Sequence, residues 1–217
     1  MLEAESTWFS QEIKRIGYEE ICPMCNIGSS TASFMREQQP WVFDYIFGPL
    51  QIAKCIVKHV DIKHAPGVDI TGDLLEHRFL KELSSYNFKS IFFSNVLEHL
   101  VERELVCQSL ISMIPAGGYI FVSCPKNYPF HPDPIDTMFR PSINQLAVLF
   151  KGTRLLSGEI VRGGNLITNE RSVRKRVMIV ARMMIPFYRL RNWVRNLHYL
   201  FSKYSATCII LYKPPNL

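Results

Sequence analysis

The chain has 217 residues, 47% of them hydrophobic and 20% charged, which suits one globular domain with its own core and excludes a disordered or low-complexity chain. No apolar run is long enough to cross a bilayer, and the opening stretch MLEAESTWFSQEIKRIG carries acids where a secretory leader needs an apolar segment, so a cytoplasmic protein is expected. The net charge of +6 is local: residues 1–170 hold 15 Lys and Arg and all 19 Asp and Glu, whereas residues 171–203 hold nine Lys and Arg and no acid.

In chain order, Ser6 or Thr7 can cap a first helix through Ile16, with Trp8, Ile13 and Ile16 facing a sheet. Residues 20–27, EICPMCNI, read as a first strand leading into Gly28-Ser29-Ser30-Thr31 and a helix from about Ala32. Asn26 is the polar residue near the end of that strand. A strand that ends in glycine and small hydroxyl residues before a helix is a ligand-binding turn, because glycine admits close approach to the backbone and serine can hydrogen-bond what approaches. Cys22 and Cys25 have the CxxC spacing, but a redox pair needs its first thiol at a helix amino terminus, and a zinc site needs a second Cys or His pair nearby. All six cysteines, at 22, 25, 55, 107, 124 and 208, are therefore expected as reduced, buried thiols, and no metal site is read from the sequence.

Residues 34–55 are rich in aromatics and read as partly helical covering of the core. Residues 56–61, IVKHVD, form a second strand that ends in Asp61, placed to accept hydrogen bonds from ribose hydroxyls as acids do in nucleotide-binding doubly wound folds. A short third strand and turn follow over residues 67–74, then a helix over residues 75–86 with Leu80 and Leu83 inward. Residues 91–125 read as strand, helix, turn, strand. Ile91-Phe92-Phe93 is buried on both faces, Val96 to Ile114 recur at helical spacing, Pro115-Ala116-Gly117-Gly118 stops the helix, and YIFVSC forms the next strand. Ligands in such right-handed crossovers sit at the carboxyl ends of strands, which is where Ser94, Asn95, Glu98 and His99 fall. Glu98 in the first turn of a helix is favoured by the helix dipole alone, whereas His99 is expected to line the pocket mouth as a neutral group.

Five prolines between Pro125 and Pro141 hold a rigid loop that carries Tyr128, His131, Asp133, Asp136 and Arg140. Asp136 and Arg140 can also simply pair with each other to hold it. Ser142 caps a helix through Phe150, and Arg154 to Val161 reads as a strand. Residues 165–204 form a basic amphipathic helical insertion before the last strand, Ala206 to Tyr212. Within it, Arg171 to Lys203 suits either peripheral contact with an anionic membrane or a lid with a solvated basic face; nucleic acid fits less well, because no nucleic-acid module accompanies it.

The sequence VLEHL at residues 96–100, followed by the Pro-Ala-Gly-Gly turn and a strand ending in Pro125, resembles the class I S-adenosylmethionine-dependent methyltransferases, in particular the type 11-like subgroup with a Leu-Glu-His signature. The likeness runs from about Glu20 to Glu159 and takes in the last strand. It implies an α/β doubly wound, mostly parallel seven-stranded sheet, the Rossmann-like methyltransferase fold, with strand order 3-2-1-4-5-7-6. The implied cofactor is S-adenosylmethionine. Gly28, Ser29 and Ser30 would cradle its methionine end, Asp61 its ribose and Asp73 with Leu74 its adenine, and Ser94 and Asn95 would also touch it. The family turn usually reads acid, x, Gly, x, Gly; here Asn26 stands for the acid and Gly28 is the only glycine. The expected reaction is methyl transfer to a hydroxyl of a small-molecule or glycan or lipid-linked acceptor. His131 is the candidate base, with Asp133 or Asp136 orienting it, and His99, Tyr128 and Arg140 are candidate acceptor contacts. The alternative is a degenerate domain without catalysis, acting as a peripheral membrane or scaffold module.

Overall fold

Seven strands form one mixed sheet in the order β3-β2-β1-β4-β5-β7-β6 in a computed structural model that describes residues 1–131, 135–169, 172–183 and 190–215. They are β1 (Met24–Ile27), β2 (Val57–Asp61), β3 (Ile70–Thr71), β4 (Ser90–Ser94), β5 (Tyr119–Asn127), β6 (Arg154–Arg162) and β7 (Ser205–Tyr212). The pairs among β1 to β5 run parallel, while β7 is antiparallel to both β5 and β6. The order is the one the resemblance implies, and the antiparallel β7 makes the sheet mixed.

Apolar runs in the central strands follow from burial on both faces. Alternation along β4 sends Ile91 and Phe93 into one core layer, with Leu83, Leu110 and Phe150, and sends Phe92 into the other, with Phe9, Ile13 and Phe47. The helices Glu3–Ile16, His77–Ser84 and Arg103–Met113 supply much of that covering. Ser142 caps the helix Ile143–Val148 through a hydrogen bond from Gln145 N, as its sequence position predicts. Helices Val173–Met183 and Leu190–Phe201 precede β7.

Four local expectations are corrected. The first helix begins at Glu3 with Leu2 at its N-cap, so Ser6 and Thr7 lie inside the helix and do not cap it. The first strand starts at Met24, because Tyr18–Ile21 makes a helical turn instead. Cys22 is not a free thiol but forms a disulfide with Cys55. These residues precede β1 and β2, and the parallel register Met24↔Val57 puts their Cα atoms 5.5 Å apart, within reach of the bond, although 33 positions separate them in sequence. The other four cysteines are buried free thiols. Finally, no continuous helix runs from Val96: a short turn at Leu97–His99 is separated from the helix Arg103–Met113. Its cause is the loop after β5, which reaches back so that Thr137 donates to the Glu98 carbonyl through both N and Oγ1, while Arg103 Nε donates to the Leu97 carbonyl.

Candidate active site

A cavity of about 600 Å³ opens across the carboxyl ends of β1, β2 and β4. One end is built on the turn after β1. Gly28 has φ +72°, and a Cβ there would lie 2.4 Å from Val96 Cγ2, so only glycine allows the chain to pass β4 this closely. Ser30, at φ +59°, donates its backbone N–H to Asp61 Oδ2 at 2.8 Å, and Lys63 donates its N–H to Asp61 Oδ1 at 3.0 Å. Asp61 thus ties the turns after β1 and β2 together, and each carboxylate oxygen keeps a lone pair for a ligand hydroxyl. Asp73 accepts from Leu75 N at 2.9 Å, closing its own turn, and lines the cavity with Leu74.

Asn26 lies within β1, near its end, and is 5% exposed. Its Nδ2 is 2.9 Å from Nδ1 of His59, its register partner on β2, so Nδ1 accepts and the imidazole is neutral. Burial pulls the His59 pKa below its usual value, against the Asp69 carboxylate, which accepts the His59 backbone N–H and favours the proton. Because the unfolded chain binds this proton more tightly, the stabilisation is present above about pH 6.5 and is lost as the pH falls through the lowered value. We expect the unfolding midpoint of the wild type to fall relative to that of His59→Asn between pH 7 and pH 5; a pH-independent difference between the two proteins would contradict the assignment.

Ser94 and Asn95 sit at the end of β4, where Asn95 adopts φ +53°. Asn95 Nδ2 and Ser123 Oγ both donate to Oε2 of Glu5, at 3.0 and 2.7 Å, and Ser94 Oγ is 2.7 Å from Ser123 Oγ. Glu5 is 1% exposed and brings a carboxylate from the first helix into the wall of the cavity. The sequence reading missed it by attending only to the apolar positions of that helix; Glu5 lies three residues before Trp8 and so shares its inward face.

At the other end the turn Leu97–His99 and the proline-rich loop meet. Glu98 has 0% side-chain exposure and its Oε1 has no hydrogen-bond partner. Burial pushes its carboxyl up to about 7, opposed by its own backbone hydrogen bond and by His99. The helix-dipole account of Glu98 therefore fails: its side chain points into the protein, not along a helix end. His131 receives Asp136 from behind, with Asp136 Oδ2 3.1 Å from His131 N and 3.2 Å from its Nδ1. Burial lowers the His131 pKa, and the Pro129 carbonyl, 3.1 Å from Nδ1, and Asp136 work in the opposite direction. Tyr128 packs its ring 5.1 Å from that of His131 and 4.8 Å from that of Tyr204, and burial raises its pKa.

Asp136 also takes two hydrogen bonds from Arg140, at 3.1 and 2.7 Å. Burial alone would raise its carboxyl; the hydrogen bonds from Arg140 and from the His131 and Met138 backbones outweigh it and hold the carboxyl down at about 2. Among the predicted residues, Asn26, Gly28, Ser29, Ser30, Asp61, Asp73, Leu74, Ser94, Asn95, His99, Tyr128 and His131 line one cavity, while Asp136 and Arg140 form a layer behind His131. Asp133 lies outside the described residues, as does part of the basic segment 171–203. The helices described there expose Val173, Val177 and Phe201, and no helix among the described residues is long and apolar enough to cross a membrane.

No family model matches the chain, and no curated protein matches it. Solved structures do. Coclaurine N-methyltransferase bound to N-methylheliamine and SAH is 14% identical, with a TM-score of 0.61, covering 97% of this chain and 71% of that one. A SAM dependent methyltransferase from Archaeoglobus fulgidus is 15% identical with a TM-score of 0.51, covering 95% and 94% of the two chains. The cyclase SpnF is 13% identical with a TM-score of 0.53, covering 97% and 81%. This chain therefore has the fold of the S-adenosylmethionine-dependent methyltransferases.

Proposed function

We propose that the protein is an S-adenosylmethionine-dependent methyltransferase that acts on a hydroxyl oxygen of a small-molecule acceptor. The observation that carries this reading is the continuity of one cavity from the turn at Gly28, Ser30 and Asp61 to the cluster of Glu98, His99 and His131. Its volume of about 600 Å³ is within the range of pockets that enclose a small ligand. The solved methyltransferases of the same fold support the cofactor assignment.

On this reading the cofactor lies along the strand ends, with its ribose hydroxyls on the free lone pairs of Asp61 and its methionine end over the turn after β1. The acceptor enters from the side of Tyr128 and His131. The acceptor oxygen attacks the methyl carbon in line, the carbon–sulfur bond breaks, and S-adenosylhomocysteine leaves as a neutral thioether. The sulfonium is already activated, so the protein has to position the acceptor and remove its proton. With no ion in the cluster, Nε2 of His131 is the group placed to take that proton, and Asp136 behind Nδ1 would stabilise the imidazolium formed.

Thermal unfolding with S-adenosylmethionine or S-adenosylhomocysteine tests the reading. Ligand at a hundred times its dissociation constant adds about 2.7 kcal/mol, a clear upward shift of the midpoint. We expect that shift in the wild type and its loss in Asp61→Ala. No shift with either ligand at millimolar concentration would favour the degenerate domain instead.

A further inference from the structure

We propose that Glu98, His99 and His131 bind one divalent transition-metal ion of the zinc or ferrous type, and that this ion holds the acceptor oxygen. Glu98 Oε1 lies 3.7 Å from Nε2 of His99 and 3.8 Å from Nε2 of His131, and one ligating atom from each of the three residues lies within 4.8 Å of the others. Both separations between Oε1 and nitrogen are too long for hydrogen bonds. They fall within the roughly 4.2 Å that two metal bonds of about 2.1 Å can span.

The hydrogen bonds behind the rings decide what the cluster offers. His99 Nδ1 faces the Ile135 carbonyl, and His131 Nδ1 faces the Pro129 carbonyl and the Asp136 carboxylate. All three are acceptors, so each ring carries its proton on Nδ1 and presents a bare lone pair at Nε2. Orientation of a ligating imidazole by a carbonyl or carboxylate on its far nitrogen is the usual outer layer of a metal site. Glu98 Oε1 is fully buried and has no donor. With Glu98 ionised, three acceptor atoms converge with no donor among them, and a cation is the partner that would satisfy all three at once while holding that carboxylate ionised.

Two imidazoles and one carboxylate leave coordination positions open, the composition used for catalytic zinc and for non-haem ferrous ions. All three residues line the cavity, so an open position would face the acceptor. This inference rests on the methyltransferase reading for the reaction but not for the binding itself. A hydroxyl bound to the ion loses its proton far more readily, releasing it to water, and the resulting oxygen anion attacks the methyl carbon. His131 would then be a ligand and would no longer serve as the base.

The test is calorimetric titration of Zn2+ into chelator-treated full-length protein, with Co2+ absorption as an independent signature and S-adenosylhomocysteine titrated into the same samples. We expect one equivalent of Zn2+, and a loss of affinity of about a hundredfold or more in Glu98→Gln and in His131→Ala. Should a variant fail to fold, the Co2+ spectrum of the wild type still decides, since nitrogen and oxygen ligation is required and thiolate charge-transfer bands would place the ion elsewhere. Absence of Zn2+ binding, or binding unchanged in folded variants, would overturn the site. Binding of S-adenosylhomocysteine without metal binding would overturn this inference and leave the methyltransferase reading intact; metal binding without S-adenosylhomocysteine binding would do the reverse.

Discussion

Replacing Asp136 by alanine is expected to destabilise the protein by about 3–5 kcal/mol, the cost of removing one partner from a buried ion pair. The Asp136 side chain has no exposure and that of Arg140 has 12%, so the guanidinium would be left without its two charge-assisted hydrogen bonds in a place water barely reaches. Two backbone N–H groups, of His131 and Met138, lose their acceptor as well. Denaturant unfolding measures the loss. The double variant Asp136→Ala with Arg140→Leu should recover a large part of it, because the unpaired charge is then gone. A cost below about 1 kcal/mol in the single variant would mean that the pair behaves as a surface salt bridge.

Phe92→Ala is expected to cost a similar 3–5 kcal/mol for a different reason. Phe92 is 1% exposed at the middle of β4, with the rings of Phe9, Phe47 and Phe121 at 5.0, 5.7 and 6.3 Å. Truncation leaves a cavity that three aromatic neighbours on a twisted sheet and its covering helices cannot fill, and it removes the edge contacts with Phe9 and Phe47. Phe201→Ala is the control, since Phe201 is 84% exposed and its loss should stay within about 0.5 kcal/mol. Equal losses at the two positions would contradict the placement of the core.

The sheet was readable because its signals are local. Ile91-Phe92-Phe93 and the YIFVSC run are largely apolar stretches, and the turn at Gly28 and the stop at Pro115 to Gly118 are punctuation; the strand order came from the family resemblance and not from these signals. The polar side of the site was only half readable. Gly28, Asp61 and Asn95 stand at strand ends, which topology alone marks as ligand positions. Glu98 was misread because its sequence context fits a helix start; what turns it inward is the loop after β5, through Thr137, 39 residues away. Glu5 escaped notice for a related reason, since its partners Asn95, just past β4, and Ser123, in β5, lie 90 and 118 residues further along. The Cys22–Cys55 bond follows from strand register, which only the paired strands reveal.

Calorimetric titration of S-adenosylhomocysteine into the wild type and into Gly28→Val tests the central claim most directly. Valine at a position with φ +72° and 2.4 Å from Val96 closes the space beside the turn, while the rest of the cavity wall is untouched. The account predicts one site per chain in the wild type and at least a hundredfold weaker binding in the variant. A wild type that takes up no S-adenosylhomocysteine, or a folded variant that binds it as tightly, would contradict it.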